Sequence, residues 1–131
     1  MRFAALSGET FSTSELRGKV VLVTFWATYC KPCVREMPTI VETHRKFAAR
    51  GYETVAVAVW RDDPRRVMEF SKALPFKVAL DTSGTIAVEF GKVRITPTLF
   101  LIDKEGRVLA RYVGAPDWER LHELVERELG A

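Results

Sequence analysis

An α/β domain is the fold class this sequence predicts, and three observations predict it. Strand-like and helix-like stretches alternate along the 131 residues, the pattern of helices packed on a sheet. Three runs, Val20–Phe25, Thr54–Val59 and Thr98–Ile102, are nearly continuous in apolar and β-branched residues, as in strands covered on both faces. No repeat, linker or biased segment divides the chain, and at roughly 150 residues per domain it makes one domain over 1–131.

Composition removes several other classes. With 47% hydrophobic and 28% charged residues, enough apolar surface exists to offset chain entropy, so disorder is excluded. Only 8 Gly and 6 Pro are scattered along the chain, which excludes a collagen-like repeat. No apolar run reaches the roughly 18 residues of a membrane span. The 20 basic and 17 acidic residues leave a net charge of +3, which singles out neither nucleic acid nor a membrane as partner.

The elements follow in order. Phe3-Ala4-Ala5 and Thr10-Phe11 flank Ser7-Gly8-Glu9, an N-terminal hairpin. Ser12 and Glu15 have capping-box spacing, and Gly18 closes a single helical turn. Val20–Phe25 is the first buried strand. Val34, Met37, Ile40, Val41, His44, Phe47 and Ala48 then recur at helical spacing, Gly51 supplies the stop, and Pro38 is expected to kink the helix. Thr54–Val59 is the second buried strand. Asp63-Pro64 reads as an N-cap with proline at the first helical position, and Val67, Phe70, Ser71 and Leu74 form a face ended by Pro75. Lys77–Leu80 is a short strand, and Ser83–Phe90 a helix capped by Gly91. After Thr98–Ile102, the Asp103-Lys104-Glu105-Gly106 loop turns the chain into an edge strand, Val108–Val113. Pro116-Asp117 opens a last helix with Trp118, Leu121, Leu124, Val125 and Leu129 on one face. Buried strands joined through a helix imply a right-handed parallel crossover, and chemistry in such sheets sits beyond the carboxyl ends of the strands.

The two cysteines are Cys30 and Cys33, just beyond the carboxyl end of the first buried strand. Two cysteines make neither a disulfide framework nor a four-ligand zinc site; spaced C-x-x-C, they make a candidate redox pair. A helix start offers unpaired N–H groups and partial positive charge, both of which stabilise a thiolate. Lys31 adds a neighbouring cation. Pro32 stiffens the loop without wasting a helical hydrogen bond, and Cys33 sits one turn on, within reach of a mixed disulfide on Cys30. The bland alternative is a pair of inert core cysteines or a permanent disulfide.

Phe25-Trp26-Ala27-Thr28-Tyr29-Cys30-Lys31-Pro32-Cys33, followed by Glu36-Met37-Pro38, resembles the thioredoxin-fold active site of the TlpA/ResA type. Ile95-Thr96-Pro97-Thr98-Leu99-Phe100-Leu101-Ile102-Asp103 resembles that family's cis-proline strand, and Gly18-Lys19-Val20-Val21-Leu22-Val23 its approach to the motif. The resemblance implies a thioredoxin-like fold, a central mixed sheet flanked by helices, with the N-terminal hairpin and an extra αβ insertion between Val59 and Pro97. It implies a thiol–disulfide oxidoreductase acting on protein substrates, chiefly as a reductant, with Cys30 attacking and Cys33 resolving. Thr96-Pro97 would be cis, and the backbone of Thr96 would pair with substrate beside Tyr29. Trp26, Lys31, Pro32 and Glu36 would support the site. No metal and no cofactor beyond the redox-active disulfide are implied. The partners would be protein thiols and disulfides and an upstream electron-donor protein, met by a monomer with no nucleic acid and no membrane contact except through an anchor outside this sequence. The group is mostly exported or tethered outside the bacterial inner membrane, where members reduce the disulfides of apocytochromes and oxidase assembly factors. Met1–Leu6 is no signal peptide, so a periplasmic setting requires a leader preceding Met1; the alternative is a general cytoplasmic reductase.

The sequence also departs from that family's pattern. Thr24 stands where plain thioredoxins carry a buried Asp, and Tyr29 replaces the common Trp. Trp60-Arg61-Asp62 occupies a region where some ResA-like proteins carry a buried Glu. Gly91-Lys92-Val93-Arg94-Ile95 lacks the glycine-rich stretch of dedicated cytochrome-maturation members. Glu36 is read either as a proton shuttle or as an exposed helical Glu favoured by the dipole. His44 and His122 read as surface or packing residues, and Arg61, Arg65 and Arg66, interleaved with Asp62 and Asp63, as a solvated face. Trp26 is placed beside the motif and Trp118 in the core. Soft thiolates also suit Cu(I), so a copper-binding module is an alternative. A peroxidase is disfavoured because Ala27, not Thr, lies three residues before Cys30.

Overall fold

The computed structural model describes residues 2–4 and 10–130. Strands β1 (Arg2–Ala4) and β2 (Thr10–Ser12) pair antiparallel, with Phe3 opposite Phe11. Ala5, the Ser7-Gly8-Glu9 turn and Met1 lie outside the described residues. A 3-10 turn at Thr13–Leu16 leads to β3 (Val20–Trp26). The remaining strands are β4 (Tyr52–Ala58), β5 (Lys77–Leu80), β6 (Thr98–Ile102) and β7 (Val108–Val113). The helices are α1 (Lys31–Phe47), α2 (Pro64–Ser71), α3 (Thr85–Glu89) and α4 (Trp118–Gly130).

The main sheet has the order β5-β4-β3-β6-β7. β3 is parallel to β4, and β4 to β5, while β6 is antiparallel to both β3 and β7. The sheet is therefore mixed, with β3 at its centre and β7 at an edge. Alternation along the strands sorts the core into two layers. Val20, Leu22 and Trp26 of β3 face Met37, Ile40 and Phe47 of α1, Val67 of α2 and Leu121 and Val125 of α4. Val21, Val23 and Phe25 face the other way, onto Leu16 and Val93, with Ile86, Ala87 and Phe90 packed alongside. Both faces are covered, as the continuous apolar runs predict.

The boundaries show where local signals lose to packing. α3 spans five residues rather than the eight predicted over Ser83–Phe90, because Gly84 at φ 77° turns the chain left-handed just before it. α2 stops at Ser71, so Leu74 packs from the following loop. α1 continues through Pro38 to Phe47, and Ala48 falls in a separate 3-10 turn closed by Gly51 at φ 94°. On α1 the buried face is shifted from the predicted one: Thr43 joins it, while Val34 and Val41 are half-buried. Three left-handed glycines, Gly18, Gly51 and Gly106, close the turns at the end of the sheet where β3 and β4 begin. There Gly18 N–H donates to Lys104 O at 2.8 Å and Val20 N–H to Gly51 O at 3.0 Å.

His44 is a packing residue. Its Nδ1 lies 3.0 Å from Thr54 Oγ1, and its ring meets Phe76 edge-on at 5.4 Å between centroids. Burial pushes its pKa down, with Glu53 opposing and Arg45 adding to the shift. The unfolded chain takes up this proton near pH 6.5 while the folded chain resists it. Stability is therefore complete above that pH and lost as pH falls towards the lowered value. Urea midpoints at about pH 7.5 and 5.5 are expected to differ less in His44→Gln than in the parent. Part of the slope remains, because burial also lowers His122.

Candidate active site

β3 ends at a fixed point. Trp26 is wholly buried, its ring 5.0 Å from that of Phe70, and its carbonyl accepts from Val59 N–H at 3.0 Å. The chain then turns: Cys30 N–H donates to Ala27 O at 3.1 Å. That turn brings Cys30 into the N-cap position of α1, with φ −89° and ψ 104°. Its Sγ accepts from Cys33 N–H at 3.3 Å. Cys30 and Cys33 are joined as a disulfide with Cα atoms 5.3 Å apart. Cys30 is 8% exposed and Cys33 2%, so Cys30 is the more exposed residue of the pair.

A helix N-terminus leaves its first N–H groups without helical acceptors and carries partial positive charge. Here one of those groups already points at Cys30 Sγ. Pro32 sits within the first helical turn, where its missing N–H costs nothing. Lys31 and Pro32 are exposed. After reduction, alkylation of Cys30 at pH 7 is expected to outpace that of a free cysteine. Lys31→Glu should slow it severalfold by replacing a cation with an anion. Iodoacetamide rates on the two proteins measure this directly.

The strand β6 enters through a cis Thr96–Pro97 bond. Pro97 is buried and Thr96 half-buried. Thr96 O lies 3.6 Å from Cys30 Sγ, and Gly114 N–H donates to Pro97 O at 2.8 Å, pinning the bend to the chain beyond β7. Tyr29, 55% exposed, and Thr96 border a groove of about 610 Å³ that opens beside the disulfide. The sequence candidates Cys30, Cys33, Tyr29, Lys31, Pro32, Thr96 and Pro97 thus gather at one end of the sheet, with Trp26 beneath them.

Glu36 stands apart from that group. Its Oε1 accepts from Trp118 Nε1 at 2.7 Å, which ties α1 to α4. Trp118 is correspondingly half-buried at that junction, packed against the main core. Thr24 is fully buried on the α1 side of β3, and its hydroxyl has no hydrogen-bond partner among the described residues.

Asp62 corrects the reading of 61–66 as a solvated face. It is 5% exposed, and its two carboxylate oxygens accept from Thr28 N–H and Thr28 Oγ1, each at 2.6 Å. Asp63 N–H adds a third bond at 2.8 Å. Asp63 alone is the α2 cap, accepting from Arg65 N–H at 2.9 Å. The topology carries a signal for this contact. β3 and β4 are parallel neighbours, with Trp26 opposite Ala58, so the loops leaving them lie side by side. A second acid before the cap is then well placed to hold the loop that carries the cysteines.

Comparison with known proteins converges on one family. The redoxin family profile matches residues 2–127. Thiol-disulfide oxidoreductase ResA of Bacillus thuringiensis subsp. konkukian is 36% identical over 124 residues, covering 93% of this chain and 70% of that protein. The protein of the same name from Bacillus subtilis is 34% identical over 119 residues, covering 89% and 65%. Among solved structures, a thiol:disulfide interchange protein of the thioredoxin family from Chlorobium tepidum superposes with a TM-score of 0.87 at 29% identity, covering 99% of this chain and 93% of that one.

Proposed function

The chain belongs to the redoxin family and is a thiol–disulfide oxidoreductase with protein thiols and disulfides as its substrates, and from that premise we propose that Cys30 attacks, Cys33 resolves and the working direction is reduction. The observation that carries the assignment is the placement of Cys30, the more exposed cysteine of the pair, whose Sγ caps α1 and lies 3.6 Å from Thr96 O. In the reduced protein the Cys30 thiolate attacks one sulfur of a substrate disulfide. The Cys30–substrate bond forms, the substrate S–S bond breaks, and the departing thiolate takes a proton. Cys33 then loses its proton and attacks Cys30 Sγ, which closes the internal disulfide and releases the second substrate thiol. Two electrons pass from the pair to the substrate, and a dithiol donor protein restores the pair.

Stabilisation of the Cys30 thiolate is moderate: the helix end and Lys31 favour it, while a single backbone N–H reaches the sulfur and the burial of Cys30 opposes it. Strong oxidants of this chemistry owe their potential to a strongly stabilised reduced form, so moderate stabilisation favours the reducing direction. Equilibration against dithiothreitol and glutathione buffers should give a midpoint below about −200 mV; one near −120 mV would reverse the direction. Family membership also supports a setting outside the cytoplasm. In intact cells a membrane-impermeant maleimide is then expected to label reduced Cys30, and protection from that reagent until lysis would place the protein inside.

A further inference from the structure

The groove beside the disulfide has an uneven charge. Arg61, Lys92 and Arg94 line it, all exposed. The one carboxylate among its described lining residues is Asp81, 2% exposed, and its oxygens accept from Ile86 N–H at 3.1 Å and Ala87 N–H at 2.9 Å. Asp81 is therefore engaged with the start of α3 and does not answer the three cations. Lys92 holds φ 61°, a left-handed conformation that glycine or asparagine adopts more easily. Its N–H donates to Val88 O at 3.2 Å, and Val93 N–H donates to Ala87 O at 3.0 Å, so the turn is fixed with the cation at the rim.

An apolar wall stands beside these charges. Trp60 is 55% exposed and Val88 57%. The indole lies over Gly84, where a Cβ would sit 3.4 Å from Trp60 Cδ1. The Arg61 guanidinium carbon lies 5.3 Å from the Trp60 ring centroid, a cation–π contact that holds the ring while leaving the charge at the groove.

We propose that this groove selects extended partner segments in which the reactive cysteine is flanked by acidic side chains and a large apolar one. The inference rests on the thiol–disulfide reading above and adds a specificity to it. The cysteine docks at Thr96 and Tyr29, the apolar side chain lies against Trp60 and Val88, and the carboxylates meet Arg61, Lys92 and Arg94. Charge complementarity of this kind acts chiefly on encounter rate and register, and it is screened by salt.

Two peptide disulfides of equal length and apolar content, one flanked by Asp and Glu and the other by Lys, test the proposal against the reduced full chain. At about 10 mM ionic strength the acidic peptide should be reduced about tenfold faster in kcat/KM, and near 1 M the ratio should approach one. Arg61→Glu with Arg94→Glu should bring the low-salt ratio to one or below. Lys92→Asn, which keeps a residue tolerant of the left-handed backbone, should lower it partway. Arg45→Glu with Arg127→Glu, on α1 and α4 away from the groove, changes net charge equally and should preserve the ratio. Equal low-salt rates for the two peptides would overturn the selectivity and leave the exchange activity standing. A ratio lost equally in the α1/α4 variant would overturn it in favour of net charge. Failure to reduce either peptide would overturn the exchange reading itself, and the selectivity with it.

Discussion

Cys33→Ser is expected to accumulate a covalent adduct with its substrate, one partner per chain, and to stop turning over. The first half of exchange needs only Cys30, the more exposed cysteine, whose sulfur receives the Cys33 N–H. A serine at 33 retains that backbone donor, so attack proceeds. The mixed disulfide then has no second thiol to break it. Cys30→Ser removes the nucleophile, and exchange should fall by several orders of magnitude with no adduct formed. Non-reducing electrophoresis with mass spectrometry of the adduct distinguishes the two. Adducts on the Cys30→Ser protein alone would assign the attacking role to Cys33.

Asp62→Ala should cost about 3 kcal/mol of stability and roughly 10 °C in Tm. It leaves Thr28 N–H, Thr28 Oγ1 and Asp63 N–H without their carboxylate acceptor in a partly buried place. Unsatisfied donors carry their full desolvation penalty, which exceeds the net worth of the bonds they lost. Asp62→Asn retains an acceptor oxygen and should cost nearer 1 kcal/mol. Because Thr28 lies two residues before Cys30, the alanine variant should also lose exchange rate after allowance for the unfolded fraction. Thermal unfolding followed by single-turnover exchange at a temperature where both proteins are folded measures the two effects separately. A drop in Tm below about 3 °C would mean that water replaces the carboxylate at little cost.

The layout of the sheet was legible because each signal had one physical meaning. Val20–Trp26 has no polar side but Thr24, and only a strand covered on both faces accommodates that. Asp63-Pro64 announced α2 because the acid caps and the proline needs no partner. The C-x-x-C pair announced its own neighbourhood, since strand, turn and helix start are contiguous in sequence. What stayed hidden depends on contacts between distant segments. Asp62 and Thr28 are 34 positions apart, and among alternating charges Asp62 looks like its solvated neighbours. Glu36 and Trp118, 82 positions apart, each looked ordinary on its own helix. The left-handed backbone at Lys92, just after the Gly91 cap, also escaped notice, because a lysine gives no local reason to expect it.

The sheet also serves as a ruler. The glycine turns that close one end are separated from the disulfide by the seven residues of β3, about 23 Å at the rise of an extended strand. A dye on the Lys104–Gly106 turn would sit beyond contact with any segment docked at Cys30, yet within energy-transfer range of a label on that segment. Docking can therefore be timed apart from bond exchange on the unaltered active site, the electrons moving at one end of a rigid rod while the clock is read at the other.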